Sequence, residues 1–135
     1  GPRMAKNDGR AMPNLINQAL AGKELTIYGE GKQTRSFCYV SDMVRGLMLA
    51  MEKGKTEPIN IGNPVEITIL ELAEKISSAT GSESKIAFAP MPEDDPTRRK
   101  PDITRAKEKL GWEPEVELED GLKKTIEFFS KNYKD

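Results

Sequence analysis

Apolar residues along the 135-residue chain change their spacing several times, and each change predicts an element. Leu15, Ile16, Ala19 and Leu20 recur at helical spacing behind Pro13, a residue suited to a first helical turn. A helix is therefore predicted from 13 to about 21, stopped by Gly22. Residues 25–28 and 35–40 read as short strands on either side of a glycine turn. A second helix, about 42–53, carries Val44, Leu47, Met48 and Met51 as a stripe, which Leu49 and Ala50 widen. A helix so apolar needs cover on more than one side. Residues 58–61 read as a strand closed by Gly62-Asn63-Pro64. Thr68 and Glu71 then form the Thr-x-x-Glu pattern of a capping box, ahead of Ile69, Leu72, Ala73 and Ile76. Gly81 stops that helix, residues 85–89 alternate as a strand, and 90–101 is a loop with four prolines. Asp102 is placed to cap a short helix carrying Ala106 and Leu110. The last helix presents Leu118, Leu122, Ile126, Phe129 and Tyr133 on one face.

The alternation is α/β, and the length is that of one domain with a modest core. Charged residues make up 32% of the chain, yet the net charge is −1, so no global basic field invites nucleic acid. No apolar run reaches membrane-spanning length, and no signal peptide is visible. The single Cys38 cannot form an internal disulfide, which points to a reducing, cytoplasmic setting. It sits in an apolar run and reads as packed rather than reactive. With no histidine, a structural zinc site and a Ser-His or Cys-His nucleophile are excluded within the chain. Trp112 reads as a core plug between the last two helices, and the methionines of the second helix as packing. Asp42 reads as a helix cap.

The chemistry concentrates in Gly29-Glu30-Gly31-Lys32-Gln33-Thr34-Arg35. A glycine turn lets backbone approach backbone and sets Gln33 and Arg35 beside it. Arg35 offers a planar, permanently charged fork for an anionic group such as a diphosphate, or it is a surface arginine on a hairpin. Arg98-Arg99-Lys100 is either a second anion grip or a solvated run answering Glu93-Asp94-Asp95. Tyr28 and Lys32 stand four residues apart, but a glycine turn lies between them, so no helix carries the two on one face.

These segments resemble the extended short-chain dehydrogenase/reductase (NAD-dependent epimerase/dehydratase) family. The chain is similar to the C-terminal portion of its UDP-glucuronate decarboxylases (UDP-xylose synthases). The resemblance runs in order through Gly1-Pro2-Arg3-Met4, Asn7-Asp8-Gly9-Arg10, Leu25-Thr26-Ile27-Tyr28-Gly29, Gln33-Thr34-Arg35-Ser36-Phe37, Asn60-Ile61-Gly62-Asn63, Asp94-Asp95-Pro96, Arg99-Lys100-Pro101-Asp102-Ile103 and Leu110-Gly111-Trp112-Glu113-Pro114. Asn7 to Arg10 and Arg99 to Asp102 lean towards the decarboxylases.

The resemblance implies one substrate-binding domain over 1–135, a small sheet with about five helices. Its helix at about 42–53 and strand at about 58–61 would pack on a Rossmann domain upstream. NAD and the catalytic Tyr-x-x-x-Lys would lie on that missing half, with no cofactor site here. The chemistry implied is oxidation at the sugar C4, decarboxylation of a 4-keto intermediate and reduction, from UDP-glucuronate to UDP-xylose. Here Arg35 would hold diphosphate, and Arg99 would place the sugar carboxylate. Asn7, Arg10, Thr26, Tyr28, Gln33 and Arg98 would complete the UDP-sugar grip, Tyr28 at the uracil and Gln33 at ribose or phosphate. The plain alternatives are strand packing for Tyr28, a turn role for Gln33, and loop or helix-end roles for Asn7 and Arg10. A 4,6-dehydratase or 4-epimerase lobe, and a non-catalytic nucleotide-binding or interaction module, are the competing readings. Without its upstream partner the chain is expected to be inactive, to expose Val44, Leu47, Met48 and Met51, and to form a homodimer or domain swap.

Overall fold

The computed structural model describes residues 1–5, 8–93 and 95–132. Four α-helices frame two short strand pairs: α1 (Ala11–Leu20), α2 (Val40–Lys53), α3 (Ile69–Thr80) and α4 (Leu118–Asn132). A π-helical turn, Ala106–Leu110, is the fifth helical element. β1 (Leu25–Tyr28) pairs in parallel with β4 (Ile86–Ala89), Leu25 opposite Ile86. β2 (Thr34–Ser36) pairs antiparallel with β3 (Glu66–Thr68), Arg35 opposite Ile67.

The larger core forms where α1, α3, α4 and β1 turn their apolar faces together. Leu15, Ile16, Ile27, Leu72, Ile76 and Phe129 are all fully enclosed there. The ends of α3 are closed as its sequence demands. Thr68 Oγ1 accepts the Glu71 N–H at 3.1 Å while Glu71 Oε2 accepts the Thr68 N–H at 2.9 Å, so two orphan donors are satisfied reciprocally. Gly81 ends the helix at φ 65°, where a side chain would be strained.

A second, smaller core lies under α2. Trp112, Leu110, Ala106 and Ile103 are buried against Leu49, Ala50, Ile59 and Ile61. Trp112 is thus a plug, but its seat is the inner face of α2 rather than a space between the last two helices. A Cβ at Gly46 would lie 2.5 Å from Ile61 Cγ2 and 3.0 Å from the Trp112 ring, so only glycine admits this approach. The indole Nε1 donates to the Asp42 carbonyl at 3.0 Å.

Several local expectations change. The second strand is three residues long, and α2 starts at Val40, so Phe37 to Tyr39 lead directly into the helix. Residues 58–61 form no strand, since no neighbouring strand offers them a ladder; the strand that does form nearby is β3. Asp42 is not a cap: Tyr39 occupies that position without a side-chain bond, and Asp42 reaches out of its helix. Its Oδ2 accepts the N–H of Glu115 at 3.0 Å and of Val116 at 2.9 Å, pinning the segment after Trp112. Burial works to raise the Asp42 carboxyl, but these N–H donors and Arg45 outweigh it and hold the group below the usual carboxylate range. Burial pushes the Cys38 thiol up, in keeping with a packed residue. Met48 and Met51, read as packing, are exposed, Met51 by 87%; Val44 and Leu47 stand beside them half in solvent. Tyr133 lies outside the described residues. No described helix is long and apolar enough to cross a membrane.

Candidate functional site

One cavity of about 940 Å³ opens between the β1–β2 turn, the start of α1, residues 36–39 and the proline-rich loop. Its lining includes Arg10, Thr26, Tyr28, Gln33, Arg35 and Arg99. The structure therefore gathers six of the eight expected site residues around one space. Asn7 lies outside the described residues. Arg98 turns elsewhere: its Nε and Nη2 form a fork on Glu66, at 2.8 and 2.6 Å.

The backbone explains that division. Residues 95–99 run beside β2. Thr34 donates its N–H to the Thr97 carbonyl at 2.9 Å, Thr34 and Arg98 form an isolated parallel bridge, and Ser36 Oγ donates to the Arg99 carbonyl at 3.1 Å. In extended chain successive side chains point to opposite sides. Arg98 goes to Glu66, and Arg99 goes to the cavity. Thr34 Oγ1 also donates to Glu66 Oε1 at 2.8 Å, and Lys100 Nζ stands 3.9 Å from Oε2. Hydrogen bonds from Arg98, then Thr34, hold the Glu66 carboxyl down at about 2. Arg98 and Lys100 of the basic run thus answer Glu66, 32 residues away from Arg98.

Arg35 is largely sheltered, at 16% side-chain exposure. Its Nη1 donates to the carbonyls of Thr34 (2.8 Å) and Pro96 (2.7 Å), and its Nη2 to Asp95 Oδ1 at 2.5 Å. Gln33 is buried, 6% exposed. Its Nε2 donates to the Tyr28 carbonyl at 2.9 Å, which fixes the amide orientation and leaves Oε1 with no partner among the described residues. Its first task is therefore to bind the end of β1 to the turn. Thr26 is clamped by Gln18 through both its N–H and its hydroxyl. Part of the backbone edge of β1 is thus taken by side chains. Tyr28 is 47% exposed at the cavity, so strand packing does not account for it. Arg10 is exposed and pairs with Asp8 at 3.0 Å. Lys32 pairs with Glu30 at 2.6 Å, on a turn and not on a helix with Tyr28. Sequence reasoning missed Asp95, Glu66 and Gln18 as partners in this site; the separations of 60, 32 and 8 residues left no local signal.

Chemically, the cavity sets three guanidinium groups, of Arg10, Arg35 and Arg99, beside an exposed aromatic ring and a set of amide and hydroxyl groups. That combination suits an anionic ligand with a flat ring at one end.

The family model for GDP-mannose 4,6 dehydratase matches residues 1–125. The chain belongs to this family. Its relatives include UDP-glucuronic acid decarboxylase 1 of Danio rerio, 56% identical over 97% of the chain, and UDP-glucuronic acid decarboxylase 4 of Arabidopsis thaliana, 54% identical over 96%. The chain spans about a third of these relatives, 31% and 29% of their lengths. Among solved structures, UDP-glucose 4-epimerase of Thermotoga maritima with UDP-glucose superposes with a TM-score of 0.95 at 38% identity, covering 99% of this chain and 44% of that one. UDP-glucuronic acid 4-epimerase of Bacillus cereus, in complex with UDP-glucuronic acid and NAD, gives 0.90 at 34% identity, covering 97% and 42%. The family thus contains decarboxylases, epimerases and dehydratases of the extended short-chain dehydrogenase/reductase kind, and the α/β fold expected from the sequence is theirs.

Proposed function

We propose that this chain is the substrate-binding portion of a UDP-glucuronate decarboxylase. The observation that carries the reading is the convergence of Arg35 and Arg99 on one cavity that Tyr28, Thr26, Gln33 and Arg10 also line. In this reading Arg35 grips the diphosphate and Tyr28 meets the base. Arg99 stands by the sugar carboxylate. A guanidinium stays protonated far above neutral pH, so Arg99 acts by charge and placement and not as a proton donor. Binding energy collected on the nucleotide orients the reacting sugar.

NAD would supply hydride acceptance and return at the sugar C4. The described residues do not fit that cofactor. The Gly29–Gly31 turn is followed by a strand and not by a helix N-terminus, so no cradle for a dinucleotide diphosphate is formed here. In this reading NAD is held by the part of the relatives that this chain does not span, and the chain alone is expected to be inactive. That part would also cover the bare face of α2. Left uncovered, the face is expected to draw two copies into a dimer or a domain swap. The setting proposed is cytoplasmic.

The experiment is a comparison of ligands. UDP-glucuronate should bind the chain more tightly than UDP-glucose, and Arg99→Ala should erase the difference while leaving UDP affinity in place. Equal binding of the two sugars by the unaltered chain would favour the lobe of an epimerase or dehydratase that acts on uncharged sugars. That reading draws its support from the UDP-glucose 4-epimerase structure that superposes on this fold.

A further inference from the structure

Arg35 has five N–H donors. Three are committed: two on Nη1 to the Thr34 and Pro96 carbonyls, and one on Nη2 to the Asp95 carboxylate. The Nε–H and one Nη2–H make no bond to a described residue, and the side chain lines the cavity. Two of the three anchors, Asp95 and Pro96, come from the loop that carries Arg99. That loop is itself tied to the β2–β3 pair by Thr34, Ser36 and Glu66.

We infer that Asp95 is a positioning residue for Arg35: with the two carbonyls it fixes the guanidinium plane, so that the remaining N–H donors meet the diphosphate of a bound nucleotide. This rests on the nucleotide-sugar reading above. The two carbonyls engage Nη1 alone, so Asp95 is the one described anchor of Nη2. Without it the side chain could turn about that pair of bonds, and ordering it would fall to the ligand. The opposing possibility is that Asp95, itself on the cavity wall, competes with the ligand's phosphates for Arg35. The two ideas predict opposite signs for the same substitution.

The test is an NMR titration of the 135-residue chain, a method that reads weak as well as tight binding, with UDP and with uridine, which lacks the diphosphate. The unaltered chain should bind both. Asp95→Asn should weaken UDP about tenfold, equivalent to about 1.4 kcal/mol, and leave uridine unchanged. Asp95→Glu, which keeps the charge on a longer arm, should recover part of the loss. A role in general loop integrity would instead weaken UDP and uridine together, and that result overturns the inference. So does an Asp95→Asn variant that binds UDP as tightly as the unaltered chain or more tightly. Uridine binding without any gain from the diphosphate in the unaltered chain would sink the nucleotide-sugar reading itself and the inference with it. No binding of either ligand by the unaltered chain does the same.

Discussion

Around α1, α3 and α4 the apolar side chains find one another; around α2 only those on one side do. Leu15, Ile16, Ile76 and Phe129 belong to a core enclosed on all sides. Trp112, Leu110 and Ile103 belong to a smaller one that ends at the inner face of α2. Beyond it Val44, Leu47, Met48 and Met51 face solvent, although the helix carries as strong an apolar pattern as its neighbours. The same chemistry is satisfied in one region and left open in the other. An apolar stripe therefore says that a face wants cover, not where the cover comes from.

The comparison can be broken most forcefully at the smaller core. Trp112→Ala should destabilise the chain by about 3–5 kcal/mol, as loss of a fully buried large side chain does, with the shift read from urea unfolding. If the change falls below about 1 kcal/mol, the second core is not a core in the energetic sense. Asp42→Ala should cost about 1–3 kcal/mol by leaving the Glu115 and Val116 N–H groups without their acceptor. That loss should be accompanied by freer exchange of those two amides. On the bare side the expectation reverses. Leu47→Glu with Met51→Glu should change stability by no more than about 0.5 kcal/mol per site yet abolish self-association in light scattering. A chain that is monomeric across a wide concentration range before mutation would contradict the open-face account.

The smallest effect is a pH dependence at the β2–β3 pair. Glu66 is held at about 2 in the folded chain, against an ordinary 4.5. Its contribution to stability is thus complete above the ordinary value. It is lost as pH falls from about 4.5 towards 2, because only the unfolded chain protonates in that interval. Glu66→Gln should flatten that limb of the stability curve. An unchanged limb would mean that Arg98 and Glu66 hold each other only loosely.

Local chemistry was legible in the sequence wherever one segment decided its own shape. The Thr68–Glu71 box, the Gly81 stop and the strand at Leu25–Tyr28 are of that kind. The cavity was legible as a set of residues, because Arg35, Tyr28, Gln33 and Arg99 do meet there. Their partners were not. Asp42 has the composition of a cap, but its carboxylate is drawn to two N–H groups more than 70 residues away. Arg98 sits next to an acidic run, yet its fork closes on Glu66 because the register with β2 turns it that way. Residues 58–61 have the composition of a strand, but a strand needs a ladder, and here none is beside them. Pairing across the fold is a property of topology, and no single segment carries it.

The measurement that bears most directly on the whole account is a calorimetric titration of the chain with UDP, beside the same titration of Arg35→Ala. The account predicts saturable binding by the unaltered chain and its loss in the variant. Saturable binding that survives Arg35→Ala, or none in either protein, would contradict the claim that this cavity is a formed nucleotide-diphosphate site built around Arg35.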